Sequence, residues 1–553
     1  MAFIVKKNIS GREYYYLNEN KRVKGKVKTK TLAYLGKNEE QAKKKAENIL
    51  NKLEQEKIKK SKDAEIPKET MERKKISIED LATFCKRKGF VYQSADIYGG
   101  FAGFWDFGPI GVEVKENIKK EWWKYFVGRE DIFGIDGSII THPKVWKASG
   151  HVDSFSDIFV LCKKCKKPGK VDKNELEEAK CLHCGGDYDS KTAKDFKLMF
   201  ETNVGQEDKS YLRPETAQMI FVNFKAVHNS SRSKLPFGIA QIGKAFRNEI
   251  APRDFLFRSR EFEQMEMQFF INPERMDNCP FYDEIKNEKI KIFDSKKNEN
   301  ILSIDEMVKK KIFKNKWHAY WLYYSYSWFL RLGISRESLR LREHEKDELA
   351  HYAKAAVDIE YNFPNGWKEI FGSHDRGNFD LSQHEKFSKK SLEIYDEEEG
   401  KKVLPKVIES SFGVERAFLA FMFESYYYDE KRDNTILRFH PKISPLKAAV
   451  FPLVKSNDEI VKFSKEIFEY LKEEFNVGYD SGGSVGRRYS RNDEIGTPFC
   501  ITIDEESLKK KNVTIRDRDS KEQVRVKISD LKNVLRDLIY QKIDFKNSGK
   551  KVY

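Results

Sequence analysis

Apolar and polar residues alternate from position 2 to 37, with Tyr14, Tyr15, Tyr16, Val23, Val27 and Leu32 at strand-like positions. Polar punctuation falls at Asn18-Glu19-Asn20 and Lys24-Gly25-Lys26. This period-two pattern predicts a small β-meander. From Asn38 to about Ser61 the period lengthens, and Ala42, Ala46, Ile49, Leu50 and Leu53 form one helical stripe. Residues 63–75 are polar, hold Pro67 and read as a linker. Farther on, Gly111 to Val127 carries Val114, Ile118, Trp122 and Phe126 on one helical side, and a strand-like run from Gly134 to Ile140 leads to Pro143. Trp317 to Leu332 predicts an aromatic helix whose rings are packing residues. Val407-Ile408 predicts a strand end and Val414 to Tyr427 a buried helix, with Gly413 permitting the tight passage between them. After Phe439-His440-Pro441 come a buried-strand candidate, Ala448 to Val454, an amphipathic helix, Asp458 to Phe475, and further short elements to Asp537. That alternation predicts an α/β layer with a parallel or mixed sheet.

Composition adds a charge asymmetry. Lysine plus arginine exceed aspartate plus glutamate by 104 − 88 = 16 over 553 residues. Residues 1 to 60 hold 17 basic and 7 acidic side chains, so 10 of the 16 excess charges sit in that short leader. A positive excess of this kind favours a polyanionic partner such as nucleic acid. The leader's tyrosines and lysines suit an RNA-binding face, and equally a solvated coat. No run of eighteen apolar residues and no apolar signal core occurs, so neither membrane spanning nor secretion is expected, and the chain is read as cytoplasmic.

Two groups of residues carry chemistry. Phe246-Arg247-Asn248-Glu249 is followed by Arg258-x-x-x-Phe262-x-x-x-Glu266, a spacing that sets Arg258, Phe262 and Glu266 on one face of a strand. A cation, a ring and an acid on one face suit a nucleoside triphosphate beside an amino acid; a charged hairpin with one buried Phe is the plainer reading. Arg416 falls in the first turn of its predicted helix, where a cation opposes the helix dipole unless an anion is near; pairing with Glu415 or Glu424 is the structural alternative. The second group is Cys162-x-x-Cys165, fifteen residues, then Cys181-x-x-Cys184. That spacing predicts a four-thiolate structural zinc ribbon, with a redox Cys-x-x-Cys as the alternative. A disulfide framework is not expected in a large cytosolic chain.

The Arg247–Glu266 region resembles motif 2 of the class II aminoacyl-tRNA synthetases. Ser94-Ala95-Asp96-Ile97-Tyr98-Gly99-Gly100, Asp106-Phe107-Gly108-Pro109, Tyr211 to Gln218 and Val407 to Arg416 are similar to segments of glycyl-tRNA synthetases, over roughly residues 75 to 545. The resemblance implies an α+β protein: a class II antiparallel-sheet catalytic domain at 76–439 with a zinc-ribbon insertion at 161–195, and a C-terminal α/β anticodon-binding domain at 440–553. The basic β-plus-helix extension at 1–62 has no place in that core. The long helix, strand and proline up to Pro143 resemble motif 1, the family's dimer-interface element, which implies a homodimer.

The implied activity is glycine-tRNA ligation, with ATP, glycine and tRNA-Gly as partners and magnesium on the phosphates. By resemblance, Arg247 and Arg416 are catalytic. Arg247 bridges the α-phosphate and the substrate carboxylate, Arg258 grips the outer phosphates, Phe262 lies under adenine, and Arg416 covers the purine's other face or reaches the γ-phosphate. Asn248 and Glu249 contact adenine and ribose. Glu215, Glu266 and Glu409 surround the glycine ammonium, Ser411 crowds its α-carbon, and Arg376 sits near the carboxylate or phosphate. Glu409 is also a magnesium candidate. Asp375 and His374 are alternatives for substrate hydrogen bonds, with His374 read first as a solvated loop residue. Excluding larger substrates by overlap in a full site needs no editing step. A catalytically inactive, synthetase-like nucleic-acid-binding accessory protein is the competing reading; it should have lost motif residues, yet Arg247, Arg258, Phe262, Glu266 and Arg416 are all present.

Overall fold

The computed structural model describes residues 2–9, 12–23, 26–36, 41–42, 45–46 and 76–552, apart from 172–178, 182, 207, 253, 346–347 and 350–352. Two compact units emerge, Met1–Arg73 and Lys74–Tyr553.

In the first unit, strands Ala2–Ile9, Arg12–Val23 and Lys26–Gly36 pair antiparallel in sequence order. The middle strand runs straight through Asn18-Glu19-Asn20, where the sequence suggested a break. Each of these polar residues has a cross-strand partner (Thr31, Lys30 and Thr29), and register shifts after Tyr15 and Leu17 absorb the irregularity instead. Tyr15, Leu17 and Leu35 pack from one face against Ala42 and Ala46. Residues 41–42 and 45–46 are helical; the rest of the predicted helix and the 63–75 linker lie outside the described residues.

The second unit is built on a nine-stranded sheet, ordered Glu299–Ser303, Lys289–Phe293, Leu339–Glu343, Ala355–Phe363, Gly366–Gly377, Lys406–Gly413, Glu261–Ile271, Phe237–Phe246 and Ile132–Gly134. Only the Lys289–Phe293/Leu339–Glu343 and Phe237–Phe246/Ile132–Gly134 pairs are parallel. Aromatic side chains glue helices to one face. From helix Lys316–Arg331, Trp321 meets Phe269 at 4.7 Å and Trp328 meets Phe412 at 5.5 Å between ring centroids. The helix's rings are therefore core, as expected, and ring pairs of this geometry add to burial. Helix Gly111–Phe126 buries Val114, Ile118, Trp122 and Phe126, the predicted stripe. The predicted Gly134–Ile140 strand is instead two pieces, Ile132–Gly134 and Ile140–Thr141. Between them the backbone serves side chains: Gly137 N–H donates to Gln241 at 3.1 Å, and its carbonyl accepts from Arg213 at 2.5 Å.

Residues 448 onward form a six-stranded mixed sheet with its own core. Val477–Tyr479, Ala448–Pro452 and Phe499–Ile503 are parallel, and Asn512–Asp517, Gln523–Lys527 and Lys550–Lys551 continue antiparallel. Helix Asp458–Lys472, capped by Asn457, buries Ile460, Ile467 and Leu471 on this sheet. No described helix is long and apolar enough to cross a membrane.

Candidate active site

Three neighbouring strands set the centre of the site. Strand Glu261–Ile271 pairs with Lys406–Gly413 so that Glu266 lies opposite Ser411 and Gln268 opposite Glu409. The next strand brings Gly372 opposite Ser411 and His374 opposite Glu409. Because side chains alternate along a strand, one face collects Glu266, Gln268, Glu409, Ser411 and His374.

Buried acids meet there. Glu266 is 1% exposed and accepts from Gln268 Nε2 at 2.7 Å and from the Thr216 hydroxyl. The same Gln268 Nε2 donates to Glu409 at 2.7 Å. Glu409 also accepts from Arg376 at 2.7 Å and lies 2.8 Å from His374 Nδ1. Arg376 forks onto Asp380 through two 2.8 Å bonds, and Gln218 Nε2 links Asp380 and Glu215 at 3.0 Å each. Glu215 faces His151 at 3.5 Å. Four buried carboxylates thus gather round the Arg376 guanidinium, with buried Arg213 acting on Glu266 through charge and imidazoles at two margins. Burial, reinforced by the charges of Glu409 and Glu215, drives the Glu266 carboxyl well above the usual glutamate range. Glu215 and Glu409 also pay for burial, but His151 and Arg376 hold the first, and Arg376 and His374 the second, below that range. The proton retained on Glu266 offsets part of this excess of acid.

An arginine-rich surface lies alongside. Arg247 donates from Nε to the Pro214 carbonyl at 3.0 Å, and its guanidinium stands 5.3 Å from the Phe262 ring and 5.6 Å from that of Phe155. Arg258 pairs with Glu249 at 3.3 Å. Asn248 N–H donates to Leu198 at 2.7 Å. Arg416 pairs with Glu369 at 3.0 Å and lies 4.6 Å from the Phe257 ring.

Several expectations change in the structure. Phe262 and Glu266 share a strand face, but Arg258 precedes that strand, following the short helical turn Phe255–Phe257, because the strand begins only at Glu261. His374 is a strand residue held against Glu409, not a solvated loop residue. Asp375 turns the other way and accepts from Asn315 at 2.9 Å. Arg416 pairs with neither Glu415 nor Glu424 but across to the adjacent strand. Glu415 instead joins a buried group: Lys115 lies 2.8 Å from Glu263 and 3.4 Å from Glu415, which accepts the Glu263 N–H at 2.9 Å. Sequence reasoning missed Lys115, Gln218, Gln268 and Asp380. Only Gln268 had a local signal, two positions from Glu266 on the same strand face.

The four paired cysteines converge as expected. Their sulfurs lie within 4.8 Å of one another, with Cys162–Cys184 at 3.5 Å and Cys165–Cys181 at 3.6 Å. Tetrahedral zinc with Zn–S bonds of ~2.3 Å requires sulfurs about 3.8 Å apart, so the set fits. The Cys165 N–H donates to Cys162 Sγ at 3.4 Å, a contact that favours the thiolate form. All seven cysteines are free thiols.

Comparison with known proteins decides the family. The class II tRNA synthetase core domain (G, H, P, S and T) matches residues 196–426, and the anticodon-binding domain matches 447–538. Glycine–tRNA ligase of Borrelia hermsii is 45% identical over 472 residues, which is 83% of this chain and 97% of that protein. The chain belongs to the glycine–tRNA ligase family. Other glycine–tRNA ligases agree: that of Treponema denticola is 43% identical over 477 residues and that of Acetivibrio thermocellus 43% over 492, each spanning 83% of this chain and 97% of the relative. In fold, the chain is similar to a prolyl-tRNA synthetase of Cryptosporidium parvum, with a TM-score of 0.51 at 15% identity over 84% of this chain and 76% of that one. Its residues 4–65 match a different family, the IS1634 family transposase N-terminal domain.

Proposed function

We propose that the chain activates glycine with ATP at the carboxylate cluster and its flanking arginines, and then transfers glycine to the 3′-terminal adenosine of tRNA-Gly. The observation that carries this reading is the cluster itself: Glu215, Glu266 and Glu409 converge without enough cations of their own, beside Arg247 and Phe262. An ammonium supplies the missing charge. We assign Ser411, which lies opposite Glu266 and Gly372 on the neighbouring strands, to crowding the substrate α-carbon, the kind of steric exclusion that would separate glycine from alanine.

In the first step a glycine carboxylate oxygen attacks the α-phosphorus; the new P–O bond forms as the bond to the β-phosphate oxygen breaks, and pyrophosphate leaves. No base is needed, since the attacking carboxylate is already ionised. Arg247, poised on Phe262, bridges the α-phosphate and the glycine carboxylate, where charge concentrates in the transition state. Arg258 and Arg416 take the outer phosphates, Phe262 stacks under adenine, and Asn248 and Glu249 contact adenine and ribose. Arg376 orients Glu409 and Asp380 as a fixed fork. Its guanidinium is spent on those two acids, so we assign it to shaping the glycine pocket and not to the phosphates. In the second step a ribose hydroxyl of tRNA attacks the adenylate carbonyl, AMP leaves, and a phosphate oxygen takes the hydroxyl proton. Magnesium, when bound, neutralises phosphate charge. Glu369, half exposed beside Arg416, is better placed to face it than Glu409, whose oxygens already meet Gln268, Arg376 and His374.

Zinc at Cys162, Cys165, Cys181 and Cys184 fixes the insertion; a closed four-thiolate site leaves no position for a reacting water. A second copy of the chain is the partner for the apolar loop at Ile97, Tyr98 and Phe101, which are 88%, 87% and 77% exposed. The same reading assigns the enzyme to the cytoplasm.

Arg247→Ala tests the assignment. Glycine-dependent ATP–pyrophosphate exchange should fall to background while the melting temperature stays unchanged, because the lost contact acts chiefly in the transition state. Wild-type exchange in the folded variant would remove Arg247 from the mechanism.

A further inference from the structure

The N-terminal sheet has two unlike faces. One is closed by helical Ala42 and Ala46 over Tyr15, Leu17 and Leu35. The other gathers Tyr14, Tyr16 and Tyr34. Tyr34 is 46% exposed, and its ring centroid lies 5.3 Å from that of Tyr16 and 6.3 Å from that of Tyr14. Strand register explains the grouping. Tyr16 pairs directly with Tyr34 across the ladder, and Tyr14 lies two residues before Tyr16, on the same side.

We propose that this tyrosine face is a base-stacking surface for unpaired nucleotides of tRNA, a second RNA contact outside the ligase core. Three observations on different levels support it. The rings cluster on one side of a sheet, mutually tilted by 42° and 50°, and aromatic side chains on a sheet are what unpaired bases stack on. The same segment is strongly basic in sequence, 17 basic against 7 acidic residues in the first 60, with Lys26, Lys28 and Lys30 at alternate positions of the third strand. Phosphates meet such a surface favourably. Finally, the module is additional to the ligase. The Borrelia hermsii relative is covered over 97% of its length by 83% of this chain, and residues 4–65 match a transposase domain instead.

Unpaired RNA is favoured over duplex DNA because a duplex buries its base faces in its own stack, whereas a tyrosine platform needs those faces open. tRNA offers open bases in its loops and at its 3′ end. Naming tRNA as the source rests on the ligase reading above.

The test uses the full-length protein, wild type and the Tyr14→Ala/Tyr16→Ala/Tyr34→Ala variant, with fluorescence anisotropy on a tRNA-Gly transcript, a short unpaired RNA and a duplex DNA across a salt series. Loss of the rings should weaken binding of tRNA and of the unpaired RNA on the order of tenfold. The slope of log affinity against log salt should stay the same, since no phosphate contact is removed. Tyr34→Ala alone should give a smaller loss in the same direction and serves if the triple variant unfolds. Equal tRNA affinity in wild type and Tyr34→Ala, or ring-dependent binding confined to duplex DNA, overturns the proposal. ATP–pyrophosphate exchange requires no tRNA and should match wild type in both variants. Its absence from the wild type would count against the ligase reading alone, and unchanged tRNA affinity against the stacking face alone.

Discussion

Replacing Glu266 by glutamine removes a charge while keeping volume and most hydrogen bonds. The amide carbonyl can still accept from Gln268 Nε2, now 2.7 Å away, and its NH2 can donate to the Thr216 oxygen once that hydroxyl rotates. The fold should therefore tolerate the change. Its effect on stability has a definite sign. Burial beside Glu409 and Glu215 raises the Glu266 carboxyl above its ordinary range, so the folded state holds this proton more tightly than the unfolded chain. The stability this proton provides is present at low pH and is lost as pH climbs from the ordinary glutamate value to the raised one. Glutamine abolishes that loss, so at neutral pH the variant should melt at or above the wild-type temperature. Glycine binding should move the opposite way. A charge-assisted hydrogen bond to the substrate ammonium is worth about 1.5–3 kcal/mol, or roughly tenfold to a hundredfold in KM. Exchange kinetics with varied glycine, paired with calorimetry, measure both. Wild-type KM for glycine should also climb as pH drops through the raised Glu266 pKa, because proton and ammonium compete for one carboxylate, and the variant should lack that climb. A glycine KM within twofold of wild type, or a marked drop in melting temperature, would refute the reasoning.

Cys162→Ser should lower bound zinc below one equivalent by elemental analysis and leave the insertion protease-sensitive; a full metal complement would count against the four-thiolate site. Lys115→Met leaves Glu415 without its ammonium and Glu263 with Lys119 at 3.4 Å, a loss of up to about 3–5 kcal/mol for a broken buried pair, and should lower the melting temperature and denaturant midpoint. Retained stability would show that the two acids find other partners. Ile97→Asp together with Phe101→Asp should convert a dimer to a monomer in sedimentation analysis. An unchanged sedimentation coefficient would exclude this loop from the interface.

The sequence marked residue types and spacings well where chemistry is local. The cysteine quartet and the stripe of helix Gly111–Phe126 were legible, because each rests on a fixed local spacing, two Cys-x-x-Cys pairs and a three-to-four-residue period. Legibility ended where partners are distant. Arg416 meets Glu369, 47 positions earlier, and Lys115 reaches Glu263 and Glu415 from a different element; nothing in a local pattern selects those pairs. Asp380 and Gln218, which organise the pocket through Arg376 and Glu215, are likewise separated by 162 positions. The polar Asn18-Glu19-Asn20 triplet misled because a strand can hold polar residues wherever its neighbour supplies partners. Arg258 misled because the strand starts later than the spacing implied.

One consequence follows from the register of the central strands. Glu266 opposes Ser411 and Gln268 opposes Glu409 in the strand register, so the dimensions of the proposed glycine pocket are anchored in paired main chain that cannot shift singly. Grafting loops from a synthetase of different specificity should leave substrate choice untouched. Retargeting would require coordinated changes on three adjacent strands, and intermediates along that route would lose glycine before gaining anything else, which makes this specificity hard to evolve away from.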